Sequence, residues 1–115
     1  MQENTLLNKA TAFATRIIKL VEYLDNKKRK AVTSNQILKS GTSIGANISE
    51  SVYASSKADF INKLSIAQKE ASETQYWLVL LKSVDYIEEK IFHSLAADIE
   101  EILKLLASSI KTARQ

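Results

Sequence analysis

Apolar residues recur along the chain at intervals of three and four, interrupted by three short polar stretches, and this spacing predicts four amphipathic helices. At about 100° per residue, Leu6, Ala10, Phe13, Ile17, Leu20, Val21 and Leu24 fall within roughly a third of a helical circumference. Asn4 or Thr5 can cap that helix, and Asp25, Asn26 and the basic run Lys27, Lys28, Arg29 and Lys30 end it. A second stripe, Ile37, Gly41, Ile44, Ile48, Ser51 and Val52, predicts a helix opened by Thr33 or Ser34 and running to about Tyr53. Ser56 to Asp59 spells a capping box ahead of a third stripe, Phe60, Leu64, Ala67, Ala71, Thr74 and Leu78. Ile66, Glu70, Glu73, Trp77, Leu80, Leu81 and Val84 occupy the adjoining arc, so the third helix is apolar over more than half its circumference and should touch neighbours on two sides. The last helix, from near Glu88, carries Ile91, Leu95, Ile99, Ile102, Leu106 and Ile110 on a single face.

Helices joined by such short connections pack as antiparallel neighbours, so the expected fold is all-α, an antiparallel up-down-up-down four-helix bundle spanning residues 1–115 as one domain. Two glycines, no proline and no cysteine agree with this, because sheets, irregular loops and disulfide scaffolds draw on those residues. Both glycines lie inside the second helix, where each costs about 1 kcal/mol relative to alanine; Gly41 and Gly45 therefore predict a close approach of two backbones. The stretch between them has neither the lysine nor the preceding strand of a phosphate loop.

Composition narrows the chemistry. Without cysteine and with one histidine, His93, the chain cannot build the usual zinc sites or a Cys- or His-based nucleophilic centre. Di-iron bundles need two Glu-x-x-His motifs, whereas Glu89 and His93 are four apart and read as a surface pair. No cofactor is expected. The start lacks the apolar core of a secretory signal and no stretch is long enough to cross a bilayer, which predicts a cytoplasmic protein with no membrane partner. The formal net charge of +3 is uneven: residues 1–30 hold seven basic against three acidic side chains, and residues 58–89 three against six.

Three groups of residues stand out. Glu70 and Glu73, three apart on a semi-apolar arc, have the spacing for acid–base work, but a buried polar tie to Lys39 or Asn47 is the better reading, since no nucleophile accompanies them. The outer face of the second helix, Lys39, Thr42, Ser43, Ala46, Ser49, Glu50 and Tyr53, is small and weakly charged, which suits another subunit better than water. With Trp77 and Leu80 in excess of one core, it predicts self-association through the second and third helices. Lys27 to Lys30 are the main candidate for contact with nucleic acid, since clustered cations displace counterions from phosphates, although for one chain a solvated interhelix loop is the better reading. A ring would repeat that run on one rim.

The segment from Asn35 to Leu81 resembles the bacterial 23S rRNA intervening-sequence proteins, or S23 family. The likeness rests on Gln36, Ser40, Ser43, Ile44, Ala46, Asn47, Ile48 and Glu50, followed by Lys69, Glu70, Ala71, Glu73, Tyr76, Trp77 and Leu78. At Lys39 the resemblance leads one to expect arginine, so a bidentate pairing with glutamate becomes a point-charge contact. What the resemblance implies is a small, cytoplasmic, non-enzymatic bundle assembling as a homo-oligomer, a ring of five. It also implies partners among structured RNA, DNA or a nucleic-acid enzyme. Lys39, Ser43, Ala46, Asn47, Glu50, Glu70, Glu73 and Trp77 are assigned to fold and assembly, and Lys27, Lys28, Arg29 and Lys30 to nucleic-acid contact. The alternative is a purely protein-binding oligomer.

Overall fold

Asn4 accepts a hydrogen bond from the Leu7 N–H through Oδ1 at 2.9 Å and so opens α1 (Thr5–Asn26), as its position ahead of the first stripe predicts. The computed structural model describes residues 4–29 and 32–115. Among these, the remaining helices are α2 (Val32–Ser51), α3 (Lys57–Ser83) and α4 (Glu89–Arg114). Ser56 caps α3 by accepting from the Asp59 N–H at 3.0 Å, while Asp59 Oδ2 accepts from the Ser55 N–H at 3.1 Å, one residue earlier than in the usual reciprocal box. Glu88 is the N-cap of α4 without a side-chain cap bond; Glu89 in its first turn and Lys111 and Arg114 in its last complement the helix dipole.

Helix α2 departs from expectation at both ends. It is already helical at Val32, so Thr33 and Ser34 lie inside it rather than capping it. Ser34 is three residues before Ile37 on the buried stripe, and its hydroxyl is enclosed without a hydrogen-bond partner. Core spacing has outweighed capping preference. At the other end the helix stops at Ser51, whose Oγ donates to the Ile48 carbonyl at 2.6 Å, and Tyr53 is 86% exposed in the turn that follows.

Each helix packs on the next, and α4 closes against α1, giving the up-down order in a body of 46 × 23 × 20 Å. The core is the set of apolar stripes read from the sequence, including Phe13 and Ile17 from α1, Ile44 and Ile48 from α2, Leu64 and Leu78 from α3, and Ile99 and Leu106 from α4. A methyl group on Gly41 would stand 2.9 Å from Ile17 Cγ1, whereas one on Gly45 would meet Ala10 Cβ at an ordinary 3.6 Å. The predicted close approach therefore centres on Gly41. Helices α2 and α3 are also joined by a buried hydrogen bond of 2.8 Å between the Ser40 and Thr74 hydroxyls. The α4–α1 seam is polar by contrast: Arg16 bonds Asp98 and donates to Ser94 Oγ at 2.9 Å, and Lys9 meets Glu101 at 3.1 Å.

Helices α1 and α3 end in the same way. The Arg29 N–H donates to the Leu24 carbonyl and the Tyr86 N–H to the Leu81 carbonyl, both at 2.9 Å, with Lys28 (φ 57°) and Asp85 (φ 59°) in the left-handed conformation between. These are the helix-terminating turns in which glycine is preferred, here made without it.

Candidate functional site

The residues singled out for assembly come together on one face, formed by α2 and α3. Lys39, Ser43, Ala46, Asn47 and Glu50 lie on the outer side of α2, and Ile66, Glu70, Glu73, Trp77 and Leu80 on the flank of α3 next to it. A salt bridge of 2.8 Å from Lys63 Nζ to Glu50 Oε1 spans the two helices at one end of this face, and Glu50 holds the Lys63 ammonium above its usual range. The Trp77 indole N–H donates to Glu73 Oε2 at 2.9 Å, and Tyr76 stands edge-on to the indole at 5.2 Å between centroids.

The polar tie expected here takes another form. Asn47 Nδ2 donates to the Ser43 carbonyl at 2.9 Å and Ser43 Oγ to the Lys39 carbonyl at 2.7 Å, so both side chains serve their own helix. Helical Ser and Asn residues readily find a carbonyl four residues back. Among the described residues neither Lys39 nor Asn47 bonds Glu70 or Glu73; the buried link between the helices is Ser40 to Thr74, which sequence reasoning did not single out. Glu70 is half-buried, and its carboxyl is pushed above the ordinary glutamate range by burial and then by the neighbouring Glu73 charge, against the opposing pull of Lys39 and Lys69.

Exposed large apolar side chains lie at Tyr76, Val79 and the C-cap Val84 near the end of α3, and elsewhere at Ile18, Val52 and Tyr53. Trp77 and Leu80 are half-buried, while Tyr76 is 57% and Val84 58% exposed. Val79 shares a shallow pocket of about 360 Å³ with Tyr76 and Phe92 on the α4 side. Trp77 still packs against the core, so the surplus expected of Trp77 and Leu80 is partial.

The basic run divides. Lys27 caps α1 with its ammonium 5.8 Å from the Tyr23 ring centre, and Lys28 is exposed. Arg29 turns inward: its Nη1 donates to the Asp85 carbonyl at 3.1 Å and the Tyr86 carbonyl at 3.0 Å, and the guanidinium lies 5.4 Å from the Tyr86 ring centre. It clamps the α1–α2 connection to the α3–α4 turn, which removes it from the free cations expected there. Lys30 falls outside the described residues. His93 and Glu89 form the predicted i, i+4 pair at 3.6 Å, with His93 65% exposed. Among the described residues no three His, Asp or Glu side chains converge as a metal site would require, and no helix is long and apolar enough to cross a membrane.

Four helices packed in sequence order, without a strand among the described residues, define a four-helix bundle protein. The sequence profile of the 23S rRNA-intervening sequence proteins matches residues 2–108, and the chain belongs to that family. It is similar to a protein with unknown function from the S23 ribosomal protein family of Bacteroides thetaiotaomicron VPI-5482, known from its crystal structure. That similarity has 52% sequence identity and a TM-score of 0.91, over 93% of this chain and 99% of that chain. No curated protein matches.

Proposed function

We propose that this protein is a non-enzymatic scaffold that assembles with copies of itself through the α2–α3 face, as a ring of five by family resemblance, and presents a basic rim to structured RNA or another nucleic acid. The observation that carries the reading is the run of Trp77, Leu80 and, at the α3 C-cap, Val84 beside an α2 surface that carries the short side chains of Ser43, Ala46 and Asn47. Tyr and Trp are enriched where protein surfaces meet, and short side chains let a neighbouring backbone approach. The family motif residues Ser43, Ala46, Asn47, Glu50, Glu70, Glu73 and Trp77 lie on this same face.

Cyclic symmetry brings the same end of every copy to the same rim. Lys27 and Lys28 would recur there once per subunit, and repetition turns a weak phosphate contact into an effective one. Arg29 is not part of that contact, since its guanidinium is held by two carbonyls of its own chain.

Light scattering tests both halves. The purified chain is expected to run as a closed oligomer, and Ala46→Arg, which places a long cation at an exposed α2 position, to run as a monomer of unchanged helicity. A variant of wild-type size would remove the α2–α3 face from consideration. Structured RNA is expected to bind the wild type at low salt and dissociate steeply as salt rises, with Lys27→Gln/Lys28→Gln abolishing the binding. Indifference to RNA would leave an oligomer that docks protein.

A further inference from the structure

We infer that self-association of this protein is coupled to proton uptake by Glu70, so that the oligomer tightens as pH falls. The inference rests on the assembly reading above and concerns the same face. Glu70 sits half-buried on the flank of α3 turned toward α2, one turn from Ile66 and two turns from Trp77. The charged groups around it are Glu73 and Lys69 on its own helix and Lys39 on α2. Further along, Glu50 and Lys63 are closed on each other, and on the opposite flank of α3, where α4 packs, Lys82 pairs with Glu89. Among the described residues no hydrogen-bond donor and no cation within ion-pair distance meets the Glu70 side chain. Glu73 is better provided for, since its Oε2 receives the Trp77 N–H.

A copy seated on Trp77 and Leu80 covers Glu70 as well and strips the water that still solvates it. Burying a carboxylate without a partner penalises the ionised form far more than the neutral one, and protonation removes most of the penalty. The sign is already set in the isolated chain, where burial and Glu73 raise the Glu70 pKa. The stability this group contributes is therefore fully present below the ordinary glutamate range and lost as pH rises through the raised value. Covering the face shifts the balance further in the same direction, so association takes up a proton at each Glu70 that it buries.

The test is sedimentation velocity of the full chain from about pH 8 down to about pH 4, so that the range reaches the ordinary glutamate titration as well as any raised value. The wild-type dissociation constant is expected to fall several-fold over that range, toward the limit of about tenfold that a change of one pKa unit sets for each Glu70 covered. Glu70→Gln, a neutral isostere, and Glu70→Ala are expected to associate tightly at every pH, with helicity checked by circular dichroism. A wild type whose association ignores pH overturns the coupling and leaves the assembly standing, as does a Glu70→Gln variant that keeps the wild-type pH trend. Loosening on acidification, with Glu70→Gln dissociated throughout, also overturns it and shows that a neighbouring cation serves the ionised carboxylate. Monomers in every variant at every pH overturn the assembly reading, and this inference with it.

Discussion

Gly41→Val is expected to lower the stability of the bundle by about 2–3 kcal/mol, the range for overpacking a well-filled core. The new Cβ would stand 2.9 Å from Ile17 Cγ1 and 3.0 Å from Ile17 Cγ2, and Ile17 is fully buried with no room to turn away. Valine adds two methyl groups beyond that atom, and its helix propensity regains only about 0.3 kcal/mol over glycine, too little to offset the clash. Gly45→Ala, one helical turn away, is expected to do the opposite. Its Cβ makes an ordinary 3.6 Å contact with Ala10, so the helix-propensity gain of up to about 1 kcal/mol survives. Urea denaturation at one fixed protein concentration measures both, the fixed concentration being needed because association would shift the midpoints. Equal midpoints for the two variants would show that the α1–α2 spacing is set elsewhere than at Gly41.

Arg29→Ala should cost about 2 kcal/mol, because it deletes charge-assisted hydrogen bonds, worth about 1.5–3 kcal/mol, to the Asp85 and Tyr86 carbonyls. It also removes the guanidinium from the face of Tyr86. Lys27→Gln, next to it in the same run, should stay within about 0.5 kcal/mol of wild type, as exposed substitutions do. Thermal or urea unfolding separates them; a silent Arg29→Ala would mean that the two connections are held together without the clamp. The difference also governs how nucleic-acid binding should be probed. Removing all four charges together would loosen the fold and weaken binding for a reason unrelated to phosphate, whereas Lys27→Gln/Lys28→Gln tests phosphate contact alone.

The helices were legible because each pays its way through one buried stripe, and a stripe is a property of spacing. Phe13, Ile17, Ile44, Leu64, Leu78, Ile99 and Leu106 are buried in the structure where periodicity places them. Asn4 and Ser56 cap where they should, since a cap acts within three residues. Thr33 and Ser34 lie inside α2 instead of capping it for the complementary reason: Ser34 lies on the core stripe, and burial of the helix that carries it decides where α2 begins. Lys28 and Asp85 gave no glycine signal at the left-handed turns they occupy.

The candidate face was legible as a pattern and not as a set of bonds. Excess apolar arc on α3 and small residues on α2 follow from counting positions around a helix, while the structure packs Trp77 against the core and leaves it and Leu80 only partly exposed. Which polar groups meet is another matter. Asn47 and Ser43 satisfy themselves on their own backbone, while Ser40, a motif residue, and Thr74, a member of the α3 core stripe, meet across the α2–α3 contact with no signal in the chain for their pairing. Arg29 reads as one of four like charges until the fold carries the α3–α4 turn to within 3.1 Å of it.

What the sequence alone determined is therefore the local and periodic part: four helices, their buried faces, their order around the bundle, and the family that the motifs of α2 and α3 mark. The tertiary structure alone decided the pairings: Gly41 against Ile17, Ser40 with Thr74, Arg29 with the turn after α3, and Glu70 left, among the described residues, without a hydrogen bond or ion pair. Periodicity survives in one dimension because a helix repeats every 3.6 residues or so. The choice of polar partner depends on distances between segments far apart in the chain, which exist only once the helices are packed.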